Sequence, residues 1–277
     1  LAGETHSFQA GSVVKSDFWL VKTDASGSEL WNQRIGNTEL PGVLDLPTLD
    51  EAHSILETGD GGYILAGWTM AGPSNDFWLV KTDVSGERLW DRQFGGSMHD
   101  QAYAVRLTAD GGYILAGKTD SVGAGSSDFW LVKTDSTGNE EWNKTYGGPL
   151  IDEARDVRQT ADGGYILAGF TWSSGAGLAD FWLVKTDASG NEEWSRTFGG
   201  TTSDVAHAVR QTRDGGYVLA GWSESFPDGD HFWVVKTDPS GNEEWSETIG
   251  EASGARAVQQ TDDGGYVIAG WTGSLAE

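Results

Sequence analysis

The sequence predicts an all-β fold, a five-bladed β-propeller of four-stranded antiparallel blades, on three observations. The first is a repeat. "DFWLVKTD" stands at 17–24, 76–83, 128–135 and 180–187, with "HFWVVKTD" at 231–238, and its tryptophans Trp19, Trp78, Trp130, Trp182 and Trp233 are 59, 52, 52 and 51 residues apart. A period near fifty lies in the range of propeller blades. The second is that each unit resolves into four short apolar runs bounded by turn residues. The third is that "FWLV" is apolar on both faces, so its sheet must be covered on both sides. Radial stacking of like sheets meets that need and leaves only short edges. A linear solenoid fits less well, because its repeats are usually shorter and need capping units.

The unit 100–148 shows the elements in order. "AYAVRLT", "YILAGKT", "DFWLVKTD" and "EWNKTY" are each rich in β-branched or aromatic residues and bounded by Gly, Asp, Asn or Ser. They are too short for ordinary helices and read as strands. "ADGG" and "DSTGN" place Asp and Gly where tight hairpins need positive φ. "GGY" recurs at 61–63, 111–113, 163–165, 215–217 and 264–266, and the fourth-strand phrase carries Trp31, Trp90, Trp142, Trp194 and Trp245. These five tryptophans and the five of "DFW" or "HFW" are expected in the core.

Residues 1–277 are expected to form a single propeller domain. Its blades would be about 50–95, 100–147, 152–199 and 204–250, and a fifth would be shared by 1–36 and 255–272. The chain opens on third and outer strands and closes on inner and second strands. These half-blades complement each other, closing the ring and removing an edge open to aggregation. "LAGET" at 1–5 is then a surplus second strand beside "IAGWT" at 268–272. "GGY" precedes only the C-terminal copy, so residues 268–272 are expected in the sheet and Leu1–Thr5 as a displaced arm. A start in mid-motif reads as a piece excised from a longer chain, with neighbouring domains as further contacts.

The pattern A-x-x-V-x-x-T-x-D-G-G-Y-x-[LI]-A-G-x-[ST], then D-F-W-x-V-K-T-D-x-x-G-N, then W-x-x-T-[FYI]-G-G, resembles tandem repeats of secreted bacterial and archaeal β-propeller surface proteins. It is more distantly similar to WD-repeat propellers. The resemblance covers essentially the whole chain and implies an exported, secreted or cell-surface domain. Two loops depart from it, 36–50 by a longer insertion and 250–254 by lacking the Asp found there in other blades.

A net charge of −24 and a pI near 4.3 argue against a nucleic-acid partner, whose phosphates demand a basic surface. The absence of cysteine removes disulfides and thiolate metal sites. No apolar run approaches a membrane span, so no membrane insertion is expected.

The candidate sites lie among the loops that vary on a constant frame, at 69–76, 119–128, 171–180 and 223–231, where binding usually resides. The residue after "LAG" is Trp68, Lys118, Phe170, Trp222 and Trp271, with Glu4 in the surplus copy, and Trp172 lies close to it. Aromatic rings there could stack on sugars or anchor a protein, or simply fill gaps between blades. Asp50, Asp100, Asp152 and Asp204 hold one register at the start of the inner strand, with Ser253 in the fifth place. Such a ring could take Ca²⁺ through its oxygens, or each Asp could accept amide hydrogen bonds in its own turn. Equivalent repeated aspartates lack the asymmetry that a glycoside hydrolase needs. His53 and His207 share a position with Arg155 and Arg256 and are expected to face the channel or solvent, while His6, His99 and His231 are expected in loops. Lys22, Lys81, Lys133, Lys185 and Lys236 of "KTD" are expected as solvated strand ends.

Together these readings predict a non-enzymatic binding or adhesion module with no required cofactor, whose ligand is a carbohydrate or a protein at the variable-loop face. The alternative is a structural unit of a surface layer or filament. A glycoside hydrolase with a channel active site stands behind both.

Overall fold

The computed structural model describes residues 2–7, 15–36, 49–70, 73–227, 229–250 and 253–273. Among the described residues all regular structure is β. The chain forms two compact units, one of residues 1–122 and 132–141, the other of residues 123–131 and 142–277.

The first unit opens with β1 (Ala2–Ser7), β2 (Lys15–Thr23) and β3 (Glu29–Ile35). A full meander follows, made of β4 (Leu49–Glu57), β5 (Tyr63–Met70), β6 (Asp76–Thr82) and β7 (Arg88–Phe94). The next sheet runs β11-β10-β9-β8, from β8 (Asp100–Leu107), β9 (Tyr113–Thr119), β10 (Asp128–Thr134) and β11 (Glu140–Tyr146). The second unit contains β12 (Asp152–Gln159), β13 (Tyr165–Thr171), β14 (Asp180–Thr186) and β15 (Glu192–Phe198) as one sheet. A further sheet is β16 (Asp204–Gln211), β17 (Tyr217–Ser223), β18 (His231–Thr237) and β19 (Glu243–Ile249). β20 (Ser253–Gln260) and β21 (Tyr266–Thr272) pair as a two-stranded sheet. The architecture is therefore repeated four-stranded antiparallel sheets consistent with a β-propeller.

Within each sheet the hairpins follow the turn chemistry of the sequence. The Asp60 carboxylate accepts from the Gly62 N–H at 3.0 Å and from the Thr58 hydroxyl at 2.6 Å, closing the β4–β5 turn, and Gly61 supplies φ +80°. Every inner strand carries a bulge at one position, between Ala52/Ser54, Ala102/Ala104, Ala154/Asp156, Ala206/Ala208 and Ala255/Ala257. The extra residues are His53, Tyr103, Arg155, His207 and Arg256, and a bulge re-aims the side chain that it carries.

In β6, β10 and β14 the third strand is buried on both faces, as its composition demands, while β2 is more open. In the first unit Phe18 packs on Trp78 at 4.6 Å between ring centroids. In the second, Phe129 meets Trp182 and Phe181 meets Trp233, each at 4.5 Å. The fourth-strand tryptophans pack differently from the core role expected of them. Trp90 and Trp142 are half-buried on the sheet flank, covered by Tyr113 and Tyr165 of the following sheet. Trp245 is more open still, at 37% exposure, as is Trp19 of the third-strand phrase in β2, at 40%.

The lysines of "KTD" correct the sequence expectation. Lys81, Lys133, Lys185 and Lys236 are at most 5% exposed. Lys133 Nζ donates to the Thr134 carbonyl at 2.9 Å and to Glu141 at 2.7 Å, and pairs with Asp110 at 2.8 Å. Lys185 and Lys236 repeat the arrangement with Asp162 and Glu193, and with Asp214 and Glu244. The stems are packed and only the carboxylates reach solvent, so these are internal clips between the first and second hairpins.

The N-terminal phrase also departs from expectation. β1 is paired with β2, matching Gly3 to Trp19 and Thr5 to Asp17. That is the register by which Gly169 meets Trp182 and Thr171 meets Asp180. Residues 2–7 thus take a second-strand place, because the free edge of β2 is satisfied by main-chain pairing that any extended phrase of this pattern supplies. The long insertion lies mostly outside the described residues, as do residues 251–252 of the second departing loop.

Candidate functional site

The four register aspartates are wholly buried, at 0% exposure. Asp152 Oδ2 accepts from the Gly148 N–H at 2.8 Å and the Ser173 hydroxyl at 2.7 Å. Asp100 and Asp204 do the same with Gly96 and Ser121, and with Gly200 and Ser225. Asp50 takes the Thr69 hydroxyl at 2.5 Å, and Asp204 takes that of Ser223. Each carboxylate ties the start of its inner strand to its own turn and to the end of the second strand. Among the described residues no three Asp, Glu or His side chains are grouped to hold a metal.

A second set of acids sits behind them, which the sequence reading missed. Asp128 and Asp180 begin the third strand, are 1% exposed and accept two amide hydrogen bonds each through Oδ2. Burial pushes both carboxyls up, and the neighbouring Asp152 and Asp204 charges add to the effect. Burial and Asp100 push Asp76 up to about 6. The only sequence signal was the Asp that opens "DFW" in four of the five repeats.

The residues after "LAG" are divided by the structure. Phe170 is buried against Ala179, Val205 and the half-buried Trp222, so it packs one sheet on the next. Lys118 lies 3.8 Å from Asp120, and Trp68 is half-buried opposite Glu51. Trp271 and Trp172 open to solvent, at 42% and 44% exposure. The second unit thus brings Phe170, Trp222 and Trp271 onto equivalent places of successive second strands, with Trp172 in the adjoining loop.

On the inner strands beside them, the Arg155 guanidinium pairs with Glu153 at 2.6 Å and lies 5.9 Å from the Phe170 ring. Arg256 Nη1 lies 3.2 and 3.1 Å from the two ring nitrogens of His207. Burial holds the His207 imidazole far below its usual range, at about 3, and Arg256 and Arg155 push it the same way. His99 and His231 serve their own turns: His99 Nδ1 accepts the Asn75 N–H at 3.2 Å, and His231 bonds to the Gly250 and Pro227 carbonyls. His231 begins β18 and His6 falls within β1, so neither is a loop residue.

No family model and no curated protein matches the sequence. Solved structures do resemble it. One is a protein of unknown function from Bacteroides caccae, 13% identical, covering 84% of this chain and 74% of that one, with a TM-score of 0.45. Another is Sqt1 from Chaetomium thermophilum, 12% identical, covering 92% and 74%, with a TM-score of 0.44. A eukaryotic initiation factor is 10% identical over 85% and 61%, with a TM-score of 0.36.

Proposed function

We propose that this protein is a non-enzymatic binding module of a secreted or cell-surface protein, taking carbohydrate at the loop face beside Trp172, Trp222 and Trp271. The observation that carries this reading is the position after "LAG". It changes from aromatic to charged inside a frame that repeats nearly unaltered, and Trp172 beside it is 44% exposed. Aromatic rings held on rigid strands stack on sugar C–H faces at little entropic cost. A glycan array tests the reading: the protein is expected to bind, and Trp172→Ala and Trp271→Ala are expected to weaken binding at least tenfold. An array without signal overturns it.

The fold reading that accompanies this function is a closed ring of five blades, in which β20 and β21 complete the blade of β2 and β3 and β21 takes the place that β1 holds beside β2. Three unmatched groups support it. Among the described residues Lys22 donates to the Tyr63 hydroxyl at 2.7 Å and has no carboxylate, unlike its four counterparts. Asp263 makes the turn bonds to Thr261 and Gly265 but has no lysine. Val267 of β21 is 60% exposed where Val218 of β17 is 0%. By the repeat, Lys22 and Asp263 would be each other's partners in that ring. The same open β21 edge supports a second reading, a self-assembling surface unit in which β21 pairs with β2 of another copy. Ordered polymers by electron microscopy, with a silent array, would select it.

A further inference from the structure

One cationic cluster is only partly paired within the fold. The chain carries 18 Lys and Arg against 42 Asp and Glu; the buried Lys133 and Lys185 are matched by two carboxylates each and the half-buried Arg210 by Asp156 at 2.6 Å, while Arg256 stands at an exposed position of β20. Arg256 is different. Among the described residues it meets no carboxylate and approaches the ring of His207. Two residues before the bulge, where β12 has Glu153 to pair with Arg155, β16 and β20 have Val205 and Gly254. The acid is absent from the two strands that carry His207 and Arg256.

We infer that Arg155, His207 and Arg256, the bulge residues of successive inner strands in the second unit, form an oxyanion site, and that its ligand is the carboxylate or sulfate group of an acidic sugar. Burial and the Arg155 charge lower the Arg256 pKa, so a guanidinium is held partly dehydrated beside a second one. An anion offsets that penalty, and a planar guanidinium matches a carboxylate or sulfate in two parallel hydrogen bonds. The imidazole, kept neutral by the same charges, completes the site as a hydrogen-bonding group. The aromatic partners are at hand: a Cβ on Gly254 would lie 2.8 Å from Trp271 Nε1 and 3.2 Å from Trp222 Cβ, so both tryptophans close over that stretch of β20. The sugar part of this assignment rests on the proposed carbohydrate reading.

The test titrates the intact protein with sodium sulfate, glucuronate and glucose, following tryptophan fluorescence and the His207 ring protons by NMR. Sulfate and glucuronate are expected to bind and to raise the His207 pKa by at least one unit, while glucose does neither. Arg256→Gln is expected to weaken both anions at least tenfold, and Arg213→Gln, which removes an exposed charge paired with Asp262, to change nothing. No response to either anion, or equal loss in both variants, overturns the site. A response to polyglutamate in preference to polygalacturonate keeps the oxyanion site and overturns the acidic sugar. A glycan array lit only by neutral sugars upholds the carbohydrate reading while this site falls. Sulfate binding with a silent array does the reverse.

Discussion

At the scale of single residues, the repeat separates two reasons for glycine. Gly138 has φ +80° and a Cβ there would lie 2.6 Å from the Trp90 ring; Gly111 has φ +86° and open space around it. Gly111→Ala therefore meets only the left-handed backbone penalty, about 1–2 kcal/mol. Gly138→Ala adds overpacking of about 1–3 kcal/mol against an indole that cannot retreat. Urea unfolding of the two variants should show Gly138→Ala the less stable by that difference. Asp76 offers a second residue-scale prediction. Its carboxyl is pushed from 3.8 up to about 6 by burial and by Asp100. The fold favours its protonated form, so its contribution is complete below about 3.8 and is lost as pH rises through about 6. Asp76→Asn should raise Tm at pH 8 by roughly 2–4 °C, the change that about 1 kcal/mol makes in a chain of this size. At pH 4 the gain should vanish.

At the scale of elements, the hairpins are joined by the lysine clips. Asp110 is held down, at about 2, by its hydrogen bonds from Lys133 and Thr108, and Asp214 is likewise lowered to about 2, by Thr212 and Lys236. A depressed carboxyl stabilises the fold above its unfolded value near 4, and that support is lost as pH falls toward 2. Acid unfolding should therefore steepen between pH 4 and 2. Asp110→Asn should lose less over that window while being less stable at pH 6. Because its carboxylate is 58% exposed, solvent screening keeps that loss under about 1 kcal/mol. The clips were only half legible in the sequence. "DGG" and "KTD" are turn and strand-end phrases when read locally. That they meet follows from pairing the second strand with the third, which places Lys185 opposite Ile166 and beside the Asp162 turn.

At the scale of the whole molecule, the proposed ring makes a direct prediction. In the register by which Leu219 meets Val235, Ile268 would meet Val21. The chain has no cysteine, so Val21→Cys with Ile268→Cys gives one possible disulfide. A closed ring forms it within one chain and gains thermal stability on oxidation, by about 2–4 kcal/mol. Disulfide only between chains would favour the assembly reading, and none at all would remove both.

The sequence by itself determined the strand order, the turns and the all-β class, because these depend on local φ preferences and on which faces are apolar. It also marked the position after "LAG" as the one that varies. Tertiary structure alone decided that four of the five "KTD" lysines are buried clips, that Ala2–Ser7 pairs with β2, and that Oδ2 of Asp100, Asp152 and Asp204 accepts an amide and a hydroxyl. It alone set Arg256 against His207 without an acid. The physical reason is common to all four: burial, charge and hydrogen-bond satisfaction depend on which strands and turns meet, 22 residues apart for Lys236 and Asp214 and 49 for Arg256 and His207, and only packing brings them together.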